Sequence, residues 1–160
     1  MKLNYEANLG ELIDFNLRSE AAYFENNLNS LPNAFRVHIE PSLSIPYQRA
    51  WGELLAEVSA LQTYYEQDLV DNYVGPLTES VSRTIGQGRL YGSLIFENTE
   101  LFEKSEYLLT FEPKAQYLYT SFEEQSEIGF YDTTPLLTTF NNLFRGQEFT
   151  GLDRINDNNQ

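Results

Sequence analysis

The sequence predicts an α+β protein: two amphipathic helices and a short strand, then a three- to four-stranded antiparallel meander and a short C-terminal helix. Three observations carry that expectation. Apolar residues recur at three- and four-residue spacing in the first half. Short aromatic and branched runs separated by turn residues fill the second half. Glycine and proline fall between the two textures, at Gly75-Pro76 and Gly86-Gln87-Gly88.

The first helix is expected over Leu9 to Leu28. Leu9, Leu12, Ile13, Leu17, Ala21, Phe24 and Leu28 draw one stripe, and Asn8 with Glu11 resembles a capping box. Ser30-Leu31-Pro32-Asn33 reads as a turn. Phe35 to Glu40 alternates without a slip, so Phe35, Val37 and Ile39 face one way and Arg36, His38 and Glu40 the other, a strand with one wet face.

The second helix is the strongest local signal. Trp51, Leu54, Leu55, Val58, Leu61, Tyr65, Leu69 and Tyr73 recur as one stripe from Tyr47 to Val74, a helix of about 40 Å. Gly75-Pro76 ends it. A short helix restarts at Pro76 and passes Val81 and Ile85. Strands follow over Leu90–Phe96, Tyr107–Phe111, Gln116–Phe122 and Ile128–Tyr131. Thr134-Pro135 opens a last helix that Arg145-Gly146 closes. The chain reads as one domain over residues 1–152 with a polar tail over 153–160.

Composition restricts function. The 160 residues include eleven Tyr and eleven Phe, too aromatic for a disordered acidic chain. There is no cysteine, which removes thiolate chemistry and disulfides. Ten bases against 24 acids give a net charge of −14, so phosphate backbones and anionic surfaces are repelled. Neither nucleic acid nor a membrane is an expected partner. The start, Met-Lys-Leu-Asn-Tyr-Glu, carries no apolar run and does not read as a signal peptide.

No catalytic set emerges, and no enzyme or cofactor is expected. His38 is the single histidine and sits between charges on the wet face of its strand. Gly86-Gln87-Gly88 follows a helix and precedes a strand, the reverse of a phosphate-binding loop. Glu97, Glu100, Glu103 and Glu106 fall in an expected hairpin region and would not share one face. Glu66, Asp68 and Asp71 fall on the long helix, where Asp68 and Asp71 could be neighbours, and Asp153-Arg154-Ile155-Asn156-Asp157 has neither calcium-loop spacing nor a turn glycine.

The surplus tyrosines point to interfaces instead, because Tyr suits a position with one end buried and the other wet. The segment from Glu97 to Asp132 carries nine acids and two lysines. The candidate interface is Tyr107, Tyr117, Tyr119, Glu123, Glu124 and Glu127. The expected function is a non-catalytic structural or assembly protein held by protein–protein contacts, such as a small component of a virus (phage) particle or similar multi-subunit machine. The alternative is an acidic inhibitor, an immunity or anti-defence protein that covers a basic nuclease or nucleic-acid-binding surface. The partners are then other protein subunits, with a basic protein as the second option. The expected location is a virion or the cytoplasm.

Overall fold

The computed structural model describes residues 1–26, 32–69, 73–98, 109–137, 139 and 144–159. Among these residues there is no helix. Nine strands run in chain order: β1 (Lys2–Asn8), β2 (Asp14–Phe24), β3 (Asn33–Arg49), β4 (Gly52–Asp68), β5 (Ser80–Leu94), β6 (Phe96–Asn98), β7 (Leu109–Phe111), β8 (Lys114–Thr120) and β9 (Asn158–Asn159). Seven of them form one antiparallel sheet in the order β1-β2-β3-β4-β5-β8-β9, and β6 pairs with β7 beside it.

The α+β expectation is therefore corrected to all-β. The helix expected over Leu9–Leu28 is a turn and β2, and residues 27–31 lie outside the described residues. The helix expected over Tyr47–Val74 is the end of β3, a tight turn at Ala50-Trp51, and the whole of β4, and residues 70–72 lie outside the described residues. The short helix after Pro76 is a bend followed by β5. Ile128–Tyr131 forms no strand. Among the described residues of the expected last helix none is helical; Pro135 instead bridges Phe149.

The physical reason lies in how β4 carries its apolar residues. Leu54, Ala56, Val58 and Ala60 occupy one face, while Leu55, Leu61 and Tyr65 occupy the other. A two-residue period with apolar side chains on both faces contains positions at i, i+3, i+4 and i+7, and so imitates a helical stripe. Long antiparallel pairing then decides the matter. Tyr47 to Arg49 pair with Leu54 to Gly52 across the hairpin, and the ladder continues to Asn33 opposite Asp68. Gly52 closes that hairpin because a Cβ there would lie 2.3 Å from the Ser93 carbonyl oxygen.

After β8, the described residues of 121–157 fold back over one face of the sheet as a strap. Leu61 and Ile85 on that face form a small apolar cluster with Ile155 of the strap. Ile128 and Leu152 of the strap are buried as well.

Candidate functional site

The sheet has two faces of opposite chemistry, and the chemistry is inverted relative to a water-soluble sheet. Alternation places Phe35, Val37, Ile39, Leu43, Ile45 and Tyr47 of β3 outward, away from the strap. Register puts Phe15, Leu17 and Tyr23 of β2 beside them on one side, and Leu54 and Val58 of β4 on the other. Leu90 of β5 and Tyr117 and Tyr119 of β8 extend the same surface. These side chains are open: Val58 is 59% exposed, Leu90 53% and Tyr117 50%. Outward positions on β5 also include Gly86, Gly88 and Gly92. Isolated exposed apolar residues are ordinary, but an apolar surface across five strands marks a face made for something other than water.

The inward face is polar and buried. Arg36, His38, Thr63, Gln67, Arg83 and Thr120 are each 2% exposed or less. The wet strand face expected for Arg36, His38 and Glu40 is thus corrected: the strand lies within β3, but its polar side is inside and its apolar side outside. His38 is fully enclosed, with Nδ1 2.9 Å from Thr63 Oγ1 and Nε2 3.2 Å from Glu40 Oε2.

The strap supplies most of what satisfies this face. Arg36 Nη1 and Nη2 donate to the two carboxylate oxygens of Asp132 at 2.9 and 2.6 Å, a forked pair. Nη1 also reaches Asp153 Oδ1 at 2.9 Å, and Nη2 reaches Glu20 of β2 at 2.8 Å. Asp153, placed by the sequence in a polar tail, is fully buried. It accepts from the Tyr65 hydroxyl at 2.9 Å and from the backbone N–H groups of Tyr131 and Asp132 at 2.7 and 2.8 Å. Arg83 donates to Gln125 Oε1 at 2.7 Å, to the Asp153 carbonyl at 3.1 Å and to the Leu152 carbonyl. Gln67 accepts from the Gly129 N–H and the Tyr131 hydroxyl while donating to the Glu127 carbonyl. Phe24 stacks on Tyr131 with centroids 5.3 Å apart, and Arg36 lies over the Phe24 ring at 4.8 Å.

Burial opposes charge on Asp132, but the hydrogen bonds and charge of Arg36 outweigh it and hold the carboxyl below the usual aspartate range. Burial, reinforced by the neighbouring Asp153 carboxylate, pushes the Tyr131 hydroxyl up to about 12. Glu124 is exposed, and backbone N–H donation from Ser126 and Gln125 lowers its carboxyl.

The candidate interface residues are not brought together. Tyr117 and Tyr119 lie on the outward face, where the Tyr117 hydroxyl donates to Asn159 at 2.8 Å. Glu123, Glu124 and Glu127 lie in the strap, on the opposite side of the sheet. Tyr107 is outside the described residues. Sequence reading passed over Arg36, Arg83, Asp132 and Asp153. The available signal for Arg36 was its position between apolar neighbours, as Phe35-Arg36-Val37, whereas Arg83, between Ser82 and Thr84, carried no such signal. Among the described residues no cluster of three or more His, Asp or Glu side chains is placed to hold a metal ion.

The sequence matches the family described as LptD, LPS transport system D, over residues 1–160. The chain belongs to the LptD family. It is 49% identical over its whole length to the LPS-assembly protein LptD of Pseudoalteromonas atlantica and 43% identical to that of Shewanella frigidimarina. It is 42% identical over 92% of its length to that of Vibrio cholerae. In each case it spans about a fifth of the relative's length.

Membership in an LptD family overturns both expected functions, the virus-particle component and the acidic inhibitor. The family is named for transport and assembly of lipopolysaccharide (LPS) rather than for catalysis. The exclusion of a membrane and the virion or cytoplasmic location fall as well, because the family is named for LPS, a membrane glycolipid, and the outward face of this sheet carries a broad apolar surface. The earlier exclusion rested on net charge. Net charge reports on long-range repulsion and not on how charges divide between two faces; here the outward row of β3 from Val37 to Ile45 carries none, while Arg36, His38 and Glu40 face inward.

Proposed function

We propose that this chain forms part of the wall of a transmembrane β-barrel in the Gram-negative outer membrane, within a protein that moves LPS. The observation that carries this reading is the reversed polarity of the sheet: apolar side chains outward on strand after strand, charged side chains inward. Such alternation is the signature of a barrel with lipid outside and a polar lumen. A transmembrane strand needs only about 9–11 residues, and β3, β4 and β5 exceed that, so their ends extend past the bilayer.

The outward face also carries the dimensions of a bilayer. On β3 the aliphatic stretch from Val37 to Ile45 is bracketed by Phe35 and Tyr47, with Tyr23 and Tyr64 near the first and Trp51 near the second. The twelve steps from Phe35 to Tyr47 span about 40 Å along the strand, or about 30 Å across a bilayer at a tilt of about 40°. That fits an apolar band flanked by two aromatic girdles. The sheet end reached by residues 25–32, 69–79 and 121–157 carries the longer connections on average, so it is assigned to the cell exterior. The free side of β1 and the part of β8 that β9 does not cover are then closed by other strands of the longer protein. Tyr117 and Tyr119 face lipid in this reading, while Glu123, Glu124 and Glu127 remain in water. The transported cargo is LPS, and the remaining members of an LPS transport system are its protein partners.

These 160 residues contain no cysteine, so each introduced thiol is unique within them, and the full-length protein without an introduced cysteine gives the background labelling. Single cysteines at Leu43, Val58 and Leu90 are compared with cysteines at Ser42, Ser44 and Gln116 in the full-length protein reconstituted in vesicles. The first set is expected to react with a bilayer-soluble maleimide and resist a charged one, and the second set to show the reverse. Equal access of the charged reagent to both sets rejects the barrel wall.

A further inference from the structure

The strap meets two wall arginines that differ in one respect from three other cations of the inward face. Lys2, Arg18 and Arg89 each have a carboxylate of the sheet itself as partner, in Glu20, Glu40 and Glu57. Arg36 shares Glu20 with Lys2 and takes its other two carboxylates from the strap. Arg83 has no carboxylate partner among the described residues. Its only acceptor on the wall is Thr63 Oγ1 at 3.3 Å, and the rest come from the strap as a side-chain amide and two carbonyls. Both arginines converge on Asp153, and each keeps a buried Nε donor that no described residue accepts.

A wall without its strap would therefore present two guanidinium groups, on β3 and β5 with Thr63 and Tyr65 of β4 between those strands, and one carboxylate, Glu20 on the far side of Arg36, already shared with Lys2. Two forked cations of this kind match the oxygens of a phosphate group, and the strap occupies them with oxygens in much the same way. A buried unpaired cation is costly, so the strap and an anion are alternatives rather than companions.

We propose that Arg36 and Arg83 form an anion-receiving site on the inner wall for phosphate groups carried by LPS, closed in this conformation by Asp132 and Asp153 of the strap. The proposal rests on the barrel reading above. Strap and phosphate compete for the same donors, so weakening the strap strengthens binding.

The test uses the full-length protein in detergent. Binding is measured for LPS, for the same LPS after enzymatic removal of phosphate, and for inorganic phosphate alone. The double variant Asp132→Asn, Asp153→Asn is expected to bind intact LPS about tenfold tighter than the unmodified protein, because the closed state no longer competes. Adding Arg83→Gln is expected to remove that gain, and dephosphorylated LPS is expected to show none. Equal gains for both forms of LPS, or no gain for either, overturn the site. Inorganic phosphate binding as tightly as LPS overturns the assignment to LPS-borne phosphate. Should the double variant fail to assemble, Arg83→Lys keeps the wall cation while losing the forked donors to the strap. It is expected to mobilise a nitroxide at residue 147 and to tighten LPS binding by about threefold. An immobile strap or unchanged affinity in that variant overturns the proposal. Failure of the maleimide test strikes the barrel reading, whereas failure here with that test passed strikes only this site.

Discussion

At the scale of single residues, Gly151 decides whether the strap can close. Its φ is +65°, a left-handed conformation, and a Cβ there would sit 2.2 Å from Asp132 Oδ1 and 2.7 Å from the Asp132 carbonyl oxygen. The left-handed region alone costs a residue with a side chain about 1–2 kcal/mol. The clash would also displace the carboxylate that grips Arg36 through both of its oxygens. Gly151→Ala is expected to free the strap while leaving the sheet assembled, read as increased proteolysis within residues 121–157 and unchanged heat-modified electrophoretic mobility. An undisturbed strap in that variant would show that Asp132 can retreat without loss. His38 illustrates the same dependence on position. The sequence placed it on a wet face, where its removal would matter little, but it is enclosed between Thr63 and Glu40 and belongs to the inner polar layer.

At the scale of the element, each long strand carries two instructions in alternation. Leu43 points outward opposite Val58, and Ser44, its neighbour, points inward opposite Glu57. In a bilayer a charge on the outward side meets hydrocarbon and a charge on the inward side meets the polar lumen. Leu43→Arg is expected to destabilise the folded protein in vesicles by about 2–4 kcal/mol, since Leu43 sits near the middle of the apolar band. Ser44→Arg, one residue away, is expected to cost well under half as much, with Asp14 of β2 and Glu57 of β4 on either side of it. Chemical denaturation in lipid vesicles measures both, and similar losses would show that the two faces meet the same medium. This alternation also explains why β3 was legible as a strand over Phe35–Glu40 and β4 was not legible at all. In β3 nearly every inward position of that stretch is charged or ionisable. In β4 the inward Leu55, Leu61 and Tyr65 add apolar residues to the outward row and blur the two-residue period into an apparent helical one.

At the scale of the whole molecule, sheet and strap are joined through ionised and phenolic groups, so their union depends on pH. Asp132 titrates below its ordinary range when docked, so its contribution is present above the unfolded value, near 3.8, and is lost as pH falls through the lower docked value. Tyr131 is raised to about 12 from 10, so its contribution is present below 10 and is lost as pH rises toward 12. A nitroxide attached at a cysteine replacing Gln147 is expected to stay immobile from about pH 4 to pH 10 and to loosen beyond either limit. Loosening near neutral pH would place the control of docking in other groups. Asp153, the hub of this union, was invisible as such in the sequence, where Asp153-Arg154-Ile155-Asn156-Asp157 reads as a solvated tail. Nothing local distinguishes a carboxylate that will be buried from one that will be hydrated; the partners, Arg36 and Tyr65, lie 117 and 88 residues away along the chain.

The sequence by itself determined the amount of apolar and aromatic surface, the acidic balance, the absence of thiol chemistry, and the alternation from Phe35 to Glu40. It did not determine which side of that alternation faces inward. In water the apolar side must be the inner one, and that assumption turned a membrane-type pattern into an expected soluble protein. The tertiary structure decided the orientation through the strap, whose carboxylates, carbonyls and amides can satisfy only the charged side. Those polar groups pair over long sequence separations, whereas apolar periodicity is local, and this is why the short-range pattern was readable and the fold it served was not.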